Sequence, residues 1–174
     1  MMGKLLANSE FLHRLTGAQP RLYRTALLWT GTRSIAEDLT QEATTKALSK
    51  ATQLRDINAL DAWLFSIMRN CWHDYLRQNL ITDDIDNYEI PAETTPETDN
   101  NRLEVIKLVL SAITQLPDVF RQTIMLVDLE GFSYIETADI LNIPMGTVMS
   151  RLSRARSRLR DQLADQILRD GTLL

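Results

Sequence analysis

Five arginines stand close together near the end of the chain, and their type and spacing favour a negatively charged partner. They occupy ten residues with no acidic residue between them: Arg151, Arg154, Arg156, Arg158 and Arg160. A guanidinium group donates paired hydrogen bonds to phosphate oxygens and to the edge of guanine. Short hydroxyl donors for the same groups stand at Thr147, Ser150 and Ser153. This chemistry indicates nucleic-acid binding, and the alternative is the solvated basic face of an amphipathic helix.

The side chains that catalysis or metal binding would need are scarce. The sequence has two histidines, His13 and His73, which are 60 positions apart, and one cysteine, Cys71. It contains no HExxH, CxxC or GxSxG motif and no glycine-rich phosphate loop. We therefore expect no enzyme activity, no catalytic residue, no metal, no cofactor and no small-molecule substrate. A single cysteine excludes an internal disulfide and fits a reducing compartment.

The apolar residues are numerous enough for a core but do not form long runs. Hydrophobic residues make up 44% of the chain and aromatic residues 6%, which favours helical packing over a large β-sandwich. A bilayer span needs ~20 apolar residues in succession. No run approaches that length, and the start of the chain lacks the apolar stretch of a secretory signal. We expect no direct insertion into a membrane.

The acidic residues concentrate in one segment that divides the chain. Residues 81–101 carry seven acidic residues, two prolines and no basic residue, whereas residues 1–80 sum to +3 and residues 102–174 to zero. Such a composition predicts a flexible, self-repelling linker. An alternative role for its acids is to mimic nucleic acid in a basic channel of a partner. The sequence thus predicts two domains, 1–80 and 102–174, joined by an acidic linker.

Both blocks have helical periodicity, so the predicted fold class is all-α. In the first block, signals for helix starts and stops predict four helices. A short one begins after Asn8 or Ser9 and ends at Thr16, and a second begins at Pro20 and ends at Gly31. A third runs from Ile35 to about Ala51 behind a capping box at Ser34, and a fourth, with Asn58 as its candidate N-cap, runs to about Gln78. The core face of the fourth is predicted to contain Leu60, Leu64, Ile67, Cys71 and Tyr75.

The second block predicts a helix-turn-helix at its end. Earlier helices should cover residues 102–114 and Leu116 to Leu129, with a stop at Gly131. A capping box at Ser133 opens a short helix that ends at Leu141, Asn142 takes the left-handed turn position, and Pro144 starts a long helix to about Leu168. The predicted inward residues are Ile135, Ala138, Leu141, Ile143, Val148, Leu152 and Ala155. Such a unit places the start of its second helix in the DNA major groove.

Several of these motifs resemble those of bacterial sigma factors. In the second block the resembling residues are Leu116-Pro117, Arg121, Gly131-Phe132-Ser133, Glu136, Ala138, Leu141, Gly146-Thr147-Val148 and Ser150-Arg151-Leu152. In the first block, AEDLTQE at 36–42 looks like the family's polymerase-clamp motif. The promoter-melting helix of the family is resembled by Trp63-Leu64, Ile67, Asn70, Asp74 and Arg77. Two blocks and a short linker are similar to the extracytoplasmic-function (ECF) group of the sigma-70 family.

The resemblance implies that the first block binds RNA polymerase and the minus-10 promoter element. The docking positions are Asp38, Gln41 and Glu42, although an ordinary acidic helix start would also account for Asp38. The implied minus-10 residues are Lys50, Arg55, Asn70, His73 and Arg77. Melting needs cations and stacking surfaces beside a flipped base. Trp63 and Trp72 either fill the core, the interpretation favoured here, or stack on bases.

The same resemblance implies that the second block reads the minus-35 element. Its implied DNA residues are Thr147, Ser150, Arg151, Ser153, Arg154, Arg156 and Arg158. The expected function is that of an alternative sigma factor, and the expected partners are core RNA polymerase, promoter DNA and an anti-sigma factor. The protein is then expected in the cytoplasm, where an anti-sigma factor anchored in the inner membrane could sequester it.

Two other functions remain open on the sequence. A helix-turn-helix regulator that binds an operator as a dimer, without polymerase, would account for Ser133 to Leu159 but would leave the first block without a role. A sigma mimic that binds a regulatory protein and no DNA would not need Arg151 or Arg154.

Overall fold

The computed structural model describes residues 2–79 and 100–170, with side chains from 9–79 and 104–165. Within these ranges every regular element is a helix, and the helices form two compact units. The predicted all-α class with two helical domains is confirmed. Residues 81–99 of the predicted linker lie outside the described residues, and residues 100 and 101 begin a helix.

The first unit contains three long helices. They are α1 (Met2–Thr30), α2 (Arg33–Ser49) and α3 (Leu60–Asn79), and short 3₁₀ turns cover Ala51–Gln53 and Ile57–Ala59 between the last two. The core lies where the three helices meet, and its largest fully buried side chains are Trp29, Phe65, Leu22, Leu60, Leu64 and Met68. Of the predicted core face of α3, Leu60, Leu64, Ile67 and Cys71 are buried, whereas Tyr75 is half-buried.

The prediction of two helices before Gly31 is wrong, because α1 continues through Pro20. A proline inside a helix costs about 3 kcal/mol, since it removes one hydrogen bond and its ring crowds the preceding turn. The helix buries an apolar stripe that spans the proline, and each such side chain contributes about 1.5–3 kcal/mol when removed from water. The stripe consists of Phe11, Leu15, Ala18, Leu22 and Trp29. Its burial outweighs the cost of Pro20, which is itself exposed.

Two predicted N-caps of this unit are also wrong. Helix α2 begins at Arg33 with Thr32 as its N-cap, two residues before the predicted start at Ile35, so Ser34 is inside the helix. The turn before it is closed by Thr30, whose hydroxyl donates to the Thr32 carbonyl at 3.1 Å. Before α3, Asn58 lies inside the 3₁₀ turn Ile57–Ala59, and Asp56 caps that turn: its Oδ1 accepts from the Asn58 backbone N–H at 2.9 Å. The turn then leads directly into Leu60.

The second unit contains four α-helices and one π-helical segment. They are α4 (Asn100–Thr114), α5 (Asp118–Ile124), α6 (Tyr134–Leu141) and α7 (Met145–Asp170). The π segment, Met125–Leu129, follows α5 directly and ends before Gly131, which has φ +77°. The predicted end at Leu129 is therefore confirmed, but the helix begins at Asp118 rather than Leu116, with Pro117 as its N-cap, and its last turn is wider than an α-helix. Its closing hydrogen bond runs from the Glu130 N–H to the Met125 carbonyl at 2.9 Å.

The helix-turn-helix prediction is confirmed in nearly all its parts. Asn142 adopts φ 51° and ψ 52°, the left-handed turn position, and α7 begins directly after Pro144. Ala138, Leu141, Val148, Leu152 and Ala155 are buried, and Ile143 is half-buried. Ile135 is the exception: it is 66% exposed, because at ~100° per residue it lies on the opposite side of α6 from the buried face around Thr137 and Leu141.

Candidate nucleic-acid interface

The entry into the helix-turn-helix is held by a reciprocal set of hydrogen bonds. The Glu136 backbone N–H donates to Ser133 Oγ at 3.2 Å, and Glu136 Oε2 accepts from the Ser133 N–H at 2.8 Å and from its hydroxyl at 2.7 Å. These bonds favour the charged carboxylate and hold the pKa of Glu136 below its ordinary value. The capping box thereby fixes the start of α6, which packs against α7.

The first turns of α7 present small polar side chains on the side away from the core. Val148, Leu152 and Ala155 form the buried stripe. At ~100° per residue, Ser150 and Ser153 point roughly opposite to that stripe, and both are exposed. Thr147, Arg151 and Arg154 border this outward face, Thr147 and Arg151 half-buried and Arg154 exposed. Five of the seven residues predicted for minus-35 DNA therefore line or border one surface.

The other two predicted residues contact the protein itself. Arg156 donates from Nε to Asp128 Oδ2 at 3.0 Å and from Nη2 to Asp128 Oδ1 at 2.6 Å. The hydrogen bonds from Asp128 raise the pKa of the Arg156 guanidinium above its ordinary value. The Arg158 guanidinium carbon lies 5.0 Å from the centre of the Phe120 ring. Both arginines thus tie α7 to α5 and the π segment.

The predicted polymerase-docking residues share one exposed face of α2. Asp38, Gln41 and Glu42 are exposed, and Leu39 and Ala43 are buried on the other side. Glu42 Oε1 pairs with Lys46 Nζ at 2.7 Å, and this bond raises the pKa of Lys46. Next to the face, a groove of about 430 Å³ runs between α1 and α2, lined by Gln19, Pro20, Tyr23, Glu37, Thr40, Gln41, Thr44 and Thr45.

Three of the five predicted minus-10 residues share one face of α3. Asn70, His73 and Arg77 are exposed at spacings of three and four residues, so they lie within ~60° of one another around the helix. Asn70 Oδ1 accepts from Arg69 Nη1 at 3.1 Å, and Arg77 donates to Asp74.

The other two lie before α3. Lys50 follows the end of α2, and Arg55 precedes the second 3₁₀ turn, and both are exposed. The structure thus places these two in the α2–α3 connection and the other three on α3 itself.

The two tryptophans of α3 differ in burial. Trp72 is 3% exposed and stacks on Tyr75 with ring centres 5.5 Å apart, so its assignment to the core is confirmed. Trp63 is half-buried and meets the Phe11 ring edge-on at 6.5 Å.

Three structural residues carry roles that sequence reasoning did not assign. Arg121 is buried, and its Nη1 donates to the Thr114 carbonyl at 2.9 Å, at the end of α4. Lys46 Nζ lies 3.7 Å from Asp74 Oδ2 and so links α2 to α3. Asp128 holds Arg156 from 28 residues away. The partners of Lys46 and Asp128 are each 28 positions away and leave no periodic signal, whereas Arg121 was part of the family motif.

In the described part of the chain, no group of three or more His, Cys, Asp or Glu side chains could hold a metal ion. Cys71 is free and buried, and burial raises the pKa of its thiol. None of the described helices is both long and apolar enough to span a bilayer.

Comparison with known families decides the identity. Residues 16–80 match the family "Sigma-70 region 2", and residues 106–159 match "Sigma-70, region 4". The chain belongs to the sigma-70 family. Among curated relatives, this sigma factor is 33% identical over 148 residues to the ECF RNA polymerase sigma factor EcfG of Rhodopseudomonas palustris, covering 83% of this chain and 80% of the relative. It is 30% identical over 138 residues to the ECF RNA polymerase sigma-E factor of Haemophilus influenzae, covering 72% and 73%.

Solved structures agree with this placement. The sigma factor RpoE of Bartonella quintana, solved in complex with the anti-sigma factor NepR, matches with a TM-score of 0.76 and 28% identity over 88% of this chain and 96% of that one. CnrH, solved with the cytosolic domain of CnrY, shares the fold with a TM-score of 0.64 at 22% identity, over 92% and 96% of the two chains. The protein is an alternative sigma factor of the ECF group, which directs transcription.

Proposed function

We propose that this sigma factor docks on core RNA polymerase through the exposed face of α2 that carries Asp38, Gln41 and Glu42. That face carries exposed polar side chains and none of the buried apolar residues of α2. The groove beside Gln41 adds a concave surface between α1 and α2. The order of the two matched regions supports the same domain plan, with 1–80 as the docking and minus-10 domain, 81–101 as the linker, and 102–174 as the minus-35 domain.

The proposed minus-10 surface consists of the α3 face with Asn70, His73 and Arg77, together with Lys50 and Arg55. Melted DNA is held by cations along its backbone and by polar groups around an extruded base. The α3 face offers an amide, an imidazole and a guanidinium at adjacent positions. That juxtaposition supports a strand-capture role, since all three side chains are exposed on one helix.

The proposed minus-35 surface is the outward face of α7, with Thr147, Ser150, Arg151, Ser153 and Arg154. The observation that carries the proposal is the confirmed helix-turn-helix, whose second helix begins with hydroxyl and guanidinium groups pointing away from the core. Short side chains at Ser150 and Ser153 let the helix backbone approach the major groove closely. Arg151 and Arg154 then lie at its edge, near the phosphates.

The proposed partners are core RNA polymerase, promoter DNA and an anti-sigma factor. RpoE of Bartonella quintana is held in complex with the anti-sigma factor NepR, which supports a partner of that class here. Such a role places the protein in the cytoplasm with the polymerase, and a membrane-anchored anti-sigma factor would hold it at the inner membrane. Specific initiation requires binding of two DNA elements and no bond chemistry by this chain. Tethering two weak sites raises the effective concentration at the second.

Run-off transcription with purified core polymerase and genomic fragments tests the proposal. Promoter-specific transcripts should appear only when the sigma factor is added. They should be lost on joint Asp38→Ala and Gln41→Ala replacement, and the control Glu10→Ala, an exposed acid of α1 outside both the docking face and the groove, should retain them. Arg154→Ala should weaken transcription that depends on the minus-35 element, whereas Arg160→Ala serves as the arginine control. Specific DNA binding without any stimulation of the polymerase would instead support an operator-binding regulator.

A further inference from the structure

Two arginines of α7 flank its buried stripe on opposite sides. At ~100° per residue, Arg156 and Arg158 lie roughly 80° to either side of the line through Val148, Leu152 and Ala155. Arg156 reaches Asp128 in the π segment, and Arg158 covers the Phe120 ring in α5. The stripe packs α7 against the unit, and the two arginines hold its edges.

The contact of Arg156 is a two-point one. Its Nε and Nη2 donate to the two oxygens of Asp128 at 3.0 and 2.6 Å, so the planar group and the carboxylate face each other with both bonds in register. The two side chains are 48% and 34% exposed. A phosphate would have to displace Asp128 from these donors or approach beside its negative charge. Both requirements disfavour a phosphate contact by Arg156.

The position of Asp128 in the fold connects this contact to the turn geometry. Asp128 is the fourth residue of the π segment, where the helix widens before it ends at Gly131. π-helical turns in proteins often occur at functional sites. Arg156 therefore joins α7 to the segment that directly precedes the helix-turn-helix.

We propose that Asp128 and Arg156, together with Arg158 on Phe120, set the angle at which α7 is presented to promoter DNA. Arg156 is then a positioning residue, and the DNA contacts of α7 belong to its outward face. This inference rests on the proposed minus-35 role of α7. Of the seven residues predicted for that element, five then form the DNA-contacting surface, and the other two, Arg156 and Arg158, position the helix.

The experiment measures binding of the reconstituted holoenzyme to a promoter fragment obtained from the run-off assay, between 50 and 200 mM salt. The variants are Arg156→Gln, Arg156→Lys, Asp128→Asn, the double Asp128→Asn/Arg156→Gln, and Arg154→Gln as the reference for a phosphate contact. The same measurement is made on a second fragment whose minus-35 element is scrambled. The ratio of the Kd for the scrambled fragment to the Kd for the promoter fragment then measures specificity for the minus-35 element. Loss of folded protein lowers the active fraction but leaves this ratio unchanged, so the ratio separates helix placement from stability.

A positioning role predicts that Arg156→Gln and Asp128→Asn each weaken promoter binding about two- to fivefold, the range for a partly exposed ion pair. The double variant should lose no more than either single one, because both remove the same contact. Arg156→Lys should resemble Arg156→Gln, since an ammonium cannot make the two-point bond. The ratio of Kd values should fall and the salt dependence should stay unchanged. Arg154→Gln should lower the salt slope by about 0.9, the value for one phosphate.

Other results overturn the inference. Tighter binding by Asp128→Asn, with a reduced salt slope in Arg156→Gln and near-normal binding by Arg156→Lys, would make Arg156 a phosphate contact. Unchanged binding in all Asp128 and Arg156 variants, with a loss in Arg154→Gln, would refute the positioning role and leave the minus-35 role of α7 standing. No effect of Arg154→Gln on binding or on the ratio would instead refute the minus-35 role itself.

Discussion

Glu42→Gln separates docking from folding, because the structure limits what Glu42 contributes to stability. Its carboxylate pairs with Lys46 at 2.7 Å one turn along α2, and the side chains of Lys46 and Glu42 are 35% and 49% exposed. Exposed pairs at this spacing stabilise a helix by about 0.3–0.5 kcal/mol. We therefore expect the free energy of unfolding of the first unit to fall by no more than about 0.5 kcal/mol.

A role in docking predicts a much larger loss in binding. A hydrogen bond to a charged group that is buried at an interface contributes about 1.5–3 kcal/mol, which corresponds to a change in Kd of roughly 10- to 150-fold. The assay is competition with labelled wild-type protein for core polymerase. Stability is followed by tryptophan fluorescence, which reports on the first unit because all three tryptophans, Trp29, Trp63 and Trp72, belong to it.

Lys46→Met is the matched control, since it breaks the same ion pair and leaves Glu42 in place. It should lower stability at least as much as Glu42→Gln, because it also removes the contact of Lys46 with Asp74, and it should leave polymerase binding within about twofold of wild type. Equal losses of polymerase binding in the two variants would show that Glu42 acts through the ion pair, and the docking argument would fail. Wild-type binding by Glu42→Gln would refute it as well.

Further predictions concern the elements that present the two surfaces. Ser133→Ala should destabilise α6 by about 1 kcal/mol, measured as faster amide exchange in the full chain. Because hydrogen bonds from Ser133 lower the pKa of Glu136 below its ordinary 4.5, this stabilisation is complete above that value. It is lost as pH falls through the lowered pKa, and Glu136→Gln should remove this part of the acid transition seen by amide exchange. Leu152→Ala, at a position 2% exposed, should cost about 3–5 kcal/mol in an unfolding experiment, whereas Met149→Ala, at 50% exposure, should change stability by no more than about 0.5 kcal/mol. Pro20→Ala should stabilise the first unit by about 2 kcal/mol, because α1 gains a hydrogen bond, and a lower midpoint in the fluorescence unfolding curve would contradict this.

Much of the second unit follows from signals a few residues apart. The Ser133 and Glu136 pair, the left-handed Asn142 and the proline before α7 each act within one or two turns. Because their hydrogen bonds and backbone restrictions are local, the helix starts and ends that they produce can be predicted from neighbouring residues in the sequence. The spacing of Val148, Leu152 and Ala155 likewise predicted the buried stripe of α7.

The first unit shows where local signals are misleading. Proline is common at the first position of a helix, so Pro20 predicts a helix start there. Ser34 and Glu37 have the residue types and spacing of a capping box. The structure has neither, because burial of a stripe along all of α1 outweighs the cost of Pro20, and because α2 begins two residues before Ile35, after a turn that the Thr30 hydroxyl closes.

The sequence by itself determined the all-α class, the two helical blocks, the helix-turn-helix and the resemblance to sigma factors, because periodicity, caps and motif order are properties of neighbouring residues. Only the tertiary structure decided which side chains are available to a partner. Arg154 and Arg156 are alike in type and two positions apart, yet one is exposed beside the outward face and the other is paired with Asp128. That difference depends on a contact between residues 28 positions apart, which forms only when α7 packs against the π segment.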